Sequence, residues 1–206
     1  MALADLTYKL YTNTGGTTLF TGTIELVHQT DLSDGSQDTV LYFMSLTADR
    51  TLKATSSPGV DQVALTPTDA IVDWTVATAY SLGDTIEPST ANTYCYVCTT
   101  AGTSHASVEP TWNTGAPGST NTDGTVVWTL RGKRHEVNEI KLATTLAGLD
   151  TATAGAALNL GTSLASGSGN QIQVHVRVTN AVATVSNTTS LVDIGVNINN
   201  VQEEAV

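Results

Sequence analysis

The sequence predicts an all-β protein: a β-sandwich or jelly-roll-like host carrying a small inserted β-domain. Three observations lead there. Thr and Ser make up about a quarter of the residues, and Thr favours strands and turns over helix interiors. Several runs alternate polar and apolar residues with the period of two that a half-buried strand requires. The large aromatic residues, finally, are concentrated in the middle of the chain.

The early strands come first. Gly22-Thr23-Ile24-Glu25-Leu26-Val27-His28 and Thr39-Val40-Leu41-Tyr42-Phe43-Met44-Ser45-Leu46 are β-branched and aromatic runs, and Asp31-Leu32-Ser33-Asp34-Gly35-Ser36 between them is a turn signal. The loop Asp31-Leu32-Ser33-Asp34-Gly35-Ser36-Gln37-Asp38 also bears comparison with calcium loops, but it lacks their distal bidentate Glu, so an ordinary hydrophilic turn is expected.

Residues 73–131 form the expected insertion, with host strands in 1–72 and 132–206. All three tryptophans (Trp74, Trp112, Trp128), both cysteines and three of the six tyrosines (Tyr80, Tyr94, Tyr96) fall between Asp73 and Leu130. A compact unit of about sixty residues needs large side chains to bury enough area. Guests of this kind are accepted at exposed loop tips and need ends that lie close in space. The host should therefore stop near Val72 and resume near Arg134. Cys95 and Cys98 are three apart on a predicted strand and face opposite ways, so they are expected to stay reduced. No second ligand pair at zinc spacing accompanies them.

Residues 143–157 mix alanine with threonine and glycine, which predicts a loop with at most a short helix. The small polar run 161–170 reads as a loop, a turn or an extended arm. Gln171-Ile172-Gln173-Val174-His175-Val176-Arg177-Val178 alternates without a fault and predicts a strand with one wet face, His175 being solvated on it. Val192-Asp193-Ile194-Gly195-Val196-Asn197-Ile198 follows the turn-rich 186–190, and antiparallel pairing of these two runs in one sheet is the simplest arrangement.

The function classes narrow by charge and by motif. Eight Lys and Arg against 19 Asp and Glu give a net charge of -11, a field that repels nucleic-acid phosphates and anionic membranes. The first residues, Met1-Ala2-Leu3-Ala4-Asp5-Leu6, lack the basic and apolar regions of a signal peptide, and no apolar run is long enough to span a bilayer. His28, His105, His135 and His175 belong to no triad motif, and no phosphate-binding glycine loop or His-Glu-x-x-His occurs. Glu136 with Glu139, and Glu203 with Glu204, are expected on solvated faces. The expectation is a non-enzyme without cofactor or metal.

Within the insertion the order is Trp74-x5-Tyr80-x-x-Gly83-Asp84-x-x-x-Pro88, Asn92-x-Tyr94-x-Tyr96-x-Cys98, Ala101-Gly102-Thr103-Ser104, Glu109-Pro110-Thr111-Trp112, and Thr122-Asp123-Gly124-x-Val126-x-Trp128. This pattern resembles a small β-module common in phage tail and particle-surface proteins, itself similar to the chitin-binding carbohydrate modules of secreted hydrolases. Gly83-Asp84 and Asp123-Gly124 suit tight turns, and Glu109-Pro110 stiffens the approach to Trp112.

The resemblance implies a bacteriophage structural protein, made in the host cytoplasm and carried on the virion surface. Capsid decoration is the leading expectation. Its partners would be the major capsid or tail proteins and other copies of itself, with no nucleic acid and no membrane. The alternative is a tail or fibre adhesin whose insertion binds host glycans. Carbohydrate modules lay exposed aromatic rings against sugar faces, which makes Trp112, Tyr80 and Tyr96 the stacking candidates. Trp74, Tyr94 and Trp128 are expected to build the module core.

Overall fold

A computed structural model describes residues 6–20, 24–27, 35–69, 71–134, 136–180, 190–192, 194–198 and 200–206. The chain is nearly all β, arranged in several sheets. The strands before the middle segment are β1 (Tyr8–Tyr11), β2 (Glu25–Val27), β3 (Gly35–Ser45), β4 (Arg50–Ala54) and β5 (Val63–Asp69). The middle contributes β6 (Val72–Asp73), β7 (Ala79–Tyr80), β8 (Thr85–Glu87), β9 (Tyr94–Thr100), β10 (Gly102–Thr103), β11 (Thr120–Asp123) and β12 (Val126–Lys133). After it come β13 (Ile140–Ala143), the one-turn helix α1 (Gly148–Thr151), β14 (Leu158–Gly161), β15 (Ser163–Ala165), β16 (Ile172–Asn180), β17 (Ser190–Val192), β18 (Ile194–Ile198) and β19 (Val201–Ala205).

The alternating run at 171–178 becomes β16, the longest partner of β3: nine residue pairs run from Ile172 opposite Phe43 to Asn180 opposite Gly35. Val174, Val176 and Val178 point inward and are buried, each side chain contributing about 1.5–3 kcal/mol of burial. β16 is flanked on its other side by β13, giving the order β1-β3-β16-β13. Both of its edges are thus taken. The run after 190 consequently does not join it, contrary to expectation: β18 pairs with β5 instead. The two runs meet through the core rather than through a ladder.

The register of the remaining strands shows that β4 and β5 are halves of one interrupted strand. Along 158–165 the partners run from Leu65 to Val63 and then from Lys53 to Thr51. Along 194–205 they run from Asp69 to Leu65 and then from Ala54 to Arg50. The intervening residues 55–62 loop out, held by Val60 and Asp61 N–H groups donating to Ser57 O and by Ser56 Oγ donating to Asp61. Part of the small polar run 161–170 is therefore strand, since Ser163–Ala165 pairs with β4.

One apolar cluster joins these layers. It takes Tyr8 and Leu10 from β1, Leu41 and Phe43 from β3, Leu52 from β4, Val63 and Leu65 from β5, and Ile198 and Val201 from β18 and β19. Tyr8 is buried with its hydroxyl donating to Leu164 O at 2.6 Å. Burial, followed by the nearby Glu203 carboxylate, pushes that phenol up to about 12.

Three polar expectations are corrected. His175 is only 9% exposed, because α1 packs across β13 and β16 on that face. The turn is anchored by buried Leu149 and by Asp150 pairing with Arg177 at 2.7 Å. Glu139 is likewise buried. Glu203 has its side chain turned in, where it accepts from the Thr7 N–H at 2.8 Å and from the Thr7 hydroxyl. A carboxylate can be drawn under a sheet in this way when donors meet it there. His28, His135, the turn at 186–189 and residues 31–34 of the expected hydrophilic loop lie outside the described residues, while Gly35 to Asp38 of that loop are already strand β3.

Candidate functional site

The middle segment has its own sheet, β11-β12-β9-β8-β6, with β7 and β10 as a separate two-stranded pair. None of these strands pairs with a described strand outside 72–133. Its apolar cluster is also its own: Trp74, Tyr80, Ile86, Tyr96, Cys98, Val126, Trp128 and Leu130, with Tyr94 and Trp112 packed against it. Alternation along β9 sends Tyr96 and Cys98 into this cluster and turns Cys95 to the other side against Ile71. Both cysteines are free and buried, and burial pushes the Cys98 thiol up.

The aromatic residues assemble around one carboxylate. Asp123, 2% exposed, accepts the indole N–H of Trp74 at 2.7 Å and that of Trp128 at 3.1 Å through Oδ2. Its Oδ1 accepts the backbone N–H of His105 at 2.7 Å. A buried indole needs an acceptor, and here one side chain serves two of them. Gly124, at φ +59, completes the β11–β12 turn so tightly that a Cβ would lie 2.4 Å from Thr103 O. Sequence reasoning identified Asp123-Gly124 as a turn and missed the carboxylate's second task. The Asp-Gly-x-x-x-Trp spacing, which returns Trp128 beside Asp123 across the hairpin, was the available signal.

Of the three stacking candidates, Tyr96 is fully buried and Tyr80 nearly so. Tyr96 donates its hydroxyl to Asn113 O, and the Tyr80 hydroxyl accepts the Thr75 N–H. Neither ring has a face free for a ligand. Trp112 is half-buried. It packs on Tyr96 with ring centroids 4.5 Å apart and meets Trp128 edge-on at 6.3 Å. Its indole N–H donates to Glu109 Oε1 at 2.7 Å. Glu109 in turn accepts from the Ser89 N–H at 2.9 Å and from the Ser89 hydroxyl. Two loops are pinned to one carboxylate, and the ring is held in one orientation.

The module-core residues fall as follows: Trp74 and Trp128 are buried, and Tyr94 is half-buried at the cluster margin. The loop before Trp112 is ordered by His105, whose Nδ1 accepts the N–H groups of Ser107 and Val108 at 3.2 and 3.1 Å. The arrangement offers a half-buried, immobilised indole with the Glu109 carboxylate beside it, and the Asn121 amide accepts the Asn113 N–H at 3.1 Å and donates to Thr111 O at 2.7 Å. Among the described residues no three His, Cys, Asp or Glu side chains converge as a metal site, and no helix is long and apolar enough to cross a membrane. The chain matches no protein-family model, no curated protein and no solved structure at a significant level.

Proposed function

We propose that the chain is a non-enzymatic structural protein of a phage particle, in which a β-sandwich host attaches to the shell and an inserted module, 73–131, projects from it. One observation carries this reading: the middle segment has a sheet and an aromatic core separate from the cluster formed by the strands on both sides of it. A chain that interrupts one core to build another has the organisation expected of a scaffold with a displayed guest. The ordered Trp, Tyr and Asp-Gly motifs of the guest supply the resemblance to phage surface modules. On this reading attachment comes from surface burial and edge-strand pairing with capsid proteins or with other copies, multiplied by a symmetric lattice. The test is sedimentation of the purified protein with undecorated particles, followed by electron microscopy. Density over the head faces is the expected result; a protein that binds no part of the particle overturns the proposal.

A second reading, a tail or fibre adhesin, is favoured by Trp112. Its position, partly open and fixed by Glu109, is what a sugar-stacking ring requires, since a preorganised side chain loses little freedom on binding. Density confined to the tail, together with retention of the protein on host glycans, selects this alternative.

A further inference from the structure

The chain passes into and out of the middle segment at one place, and the guanidinium of Arg134 sits there. β5 ends at Asp69 and β6 begins at Val72; β12 ends at Lys133 and the return path runs through Arg134 and Glu136. The Arg134 side chain is 13% exposed. Its Nη1 donates to Asp69 Oδ2 at 2.8 Å and to Glu87 Oε2. Its Nε and Nη2 take the two oxygens of Glu136 at 2.9 and 2.8 Å. The backbone N–H of the same residue donates to Thr93 O at 3.1 Å. One residue therefore grips the strand leading in, the chain leading out, and two points inside the segment.

The surroundings make that grip decisive. Among the described residues, contacts between the elements of 72–133 and those outside are otherwise sparse, and beside the crossing Ile71 and Cys95 form a small apolar pair. Arg suits the task because its planar fork presents several donors at once, which a Lys ammonium cannot do in fixed geometry. Burial raises the Glu87 carboxyl, Arg134 acts against this, and Asp69, Asp73 and Glu136 add to the rise. Without the guanidinium, the carboxylates of Asp69, Glu87 and Glu136 would lose the cation they share.

We propose that Arg134 is the positioning residue that fixes the middle segment at a set angle to the remaining strands, making the crossing a joint rather than a flexible tether. This rests on the reading of 73–131 as a separate unit. It gives a displayed module a defined direction on the particle, and it makes that direction dependent on one ion cluster.

The test is backbone amide relaxation on the full chain for the natural sequence, Arg134→Met, Arg134→Lys and the double variant Asp69→Asn with Glu136→Gln. The double variant leaves Arg134 on Glu87 and removes only the outer grips. The natural protein should tumble as one body. In Arg134→Met and in the double variant, amides of 72–133 should lose the common tumbling while shifts away from the joint stay in place, and Arg134→Lys should restore part of it. Common tumbling in both loosened variants, with both parts folded, overturns the joint and leaves the separate unit standing. Loss of dispersion confined to 72–133 in Arg134→Met, with common tumbling kept in the double variant, assigns Arg134 to the stability of that segment and also overturns it. Simultaneous loss of dispersion in both parts shows instead that the segment is not a separate unit.

Discussion

Replacing Asp123 by alanine should remove a large part of the stability of the middle segment. The carboxylate meets three donors, the indole N–H groups of Trp74 and Trp128 and the backbone N–H of His105, in a position almost closed to water. Leaving one buried donor unmet costs about 1–3 kcal/mol. Three such donors put the loss at about 3–9 kcal/mol, and water entering the space left by the carboxylate brings it toward the lower end. A unit of about sixty residues has in total about 3–9 kcal/mol to lose, at roughly 0.05–0.15 kcal/mol per residue. Asp123→Asn keeps the shape and one acceptor oxygen but turns an N–H toward a donor, so its cost should be smaller, about 1–3 kcal/mol. Urea titration followed by tryptophan emission is the assay, because all three tryptophans lie in this segment and the signal reports on it alone. A change below about 0.5 kcal/mol for Asp123→Ala, the size of an ordinary surface substitution, would refute the account of the carboxylate as the hub of the core.

Other outcomes follow from the same contacts. Trp112→Ala removes a half-buried ring packed on Tyr96 and frees Glu109, so the segment should lose about 2 kcal/mol, below the 3–5 typical of a fully buried aromatic; thermal melts check this, and retention on chitin, cellulose and cell-wall glycans in the natural protein distinguishes a binding ring from a packing one. Glu203→Ala leaves the Thr7 N–H and the Arg50 guanidinium without their carboxylate, which should cost about 1–3 kcal/mol and speed amide exchange at Thr7 more than in β16. Tyr8 gives a pH dependence: its phenol is raised to about 12 in the folded chain, so the stability it contributes is complete below the unfolded value near 10 and is lost as pH rises through about 12. Burial raises the Tyr96 phenol as well, so ultraviolet titration should show Tyr8 and Tyr96 ionising late, and Tyr8→Phe should remove the part of that late step that belongs to Tyr8 and weaken the accompanying alkaline unfolding.

How far the sequence could be read depends on the range of the interaction concerned. The alternation at 171–178 is local, and β16 forms over it with Val174, Val176 and Val178 inward. The partner of that strand is not local. Pairing with 192–198 was the simplest arrangement, but β3 and β13 fill both edges, and no period in a single run reveals what occupies its neighbours. His175 shows the same limit: its place on the polar face was legible, whereas the helical turn that covers it comes from residues 148–151. In the middle segment the concentration of aromatic residues pointed to a separate core. Which rings remain open did not follow, because Tyr96 is buried by contacts with Trp112 and Asn113 that arrive from a loop. Alternation along β9 could have placed Tyr96 with Cys98 on the inner face.

The most direct test of the account is to divide the chain at its crossing. Residues 73–131 would be expressed alone, and the host would be made with a short Gly/Ser linker in their place, each compared with the full chain by amide correlation spectra. The account predicts dispersed spectra for both pieces, with peaks away from the junction superimposing on those of the whole protein, because each piece retains its own sheet and core. A collapsed spectrum from either piece would contradict it and would mean that the two clusters form one cooperative unit.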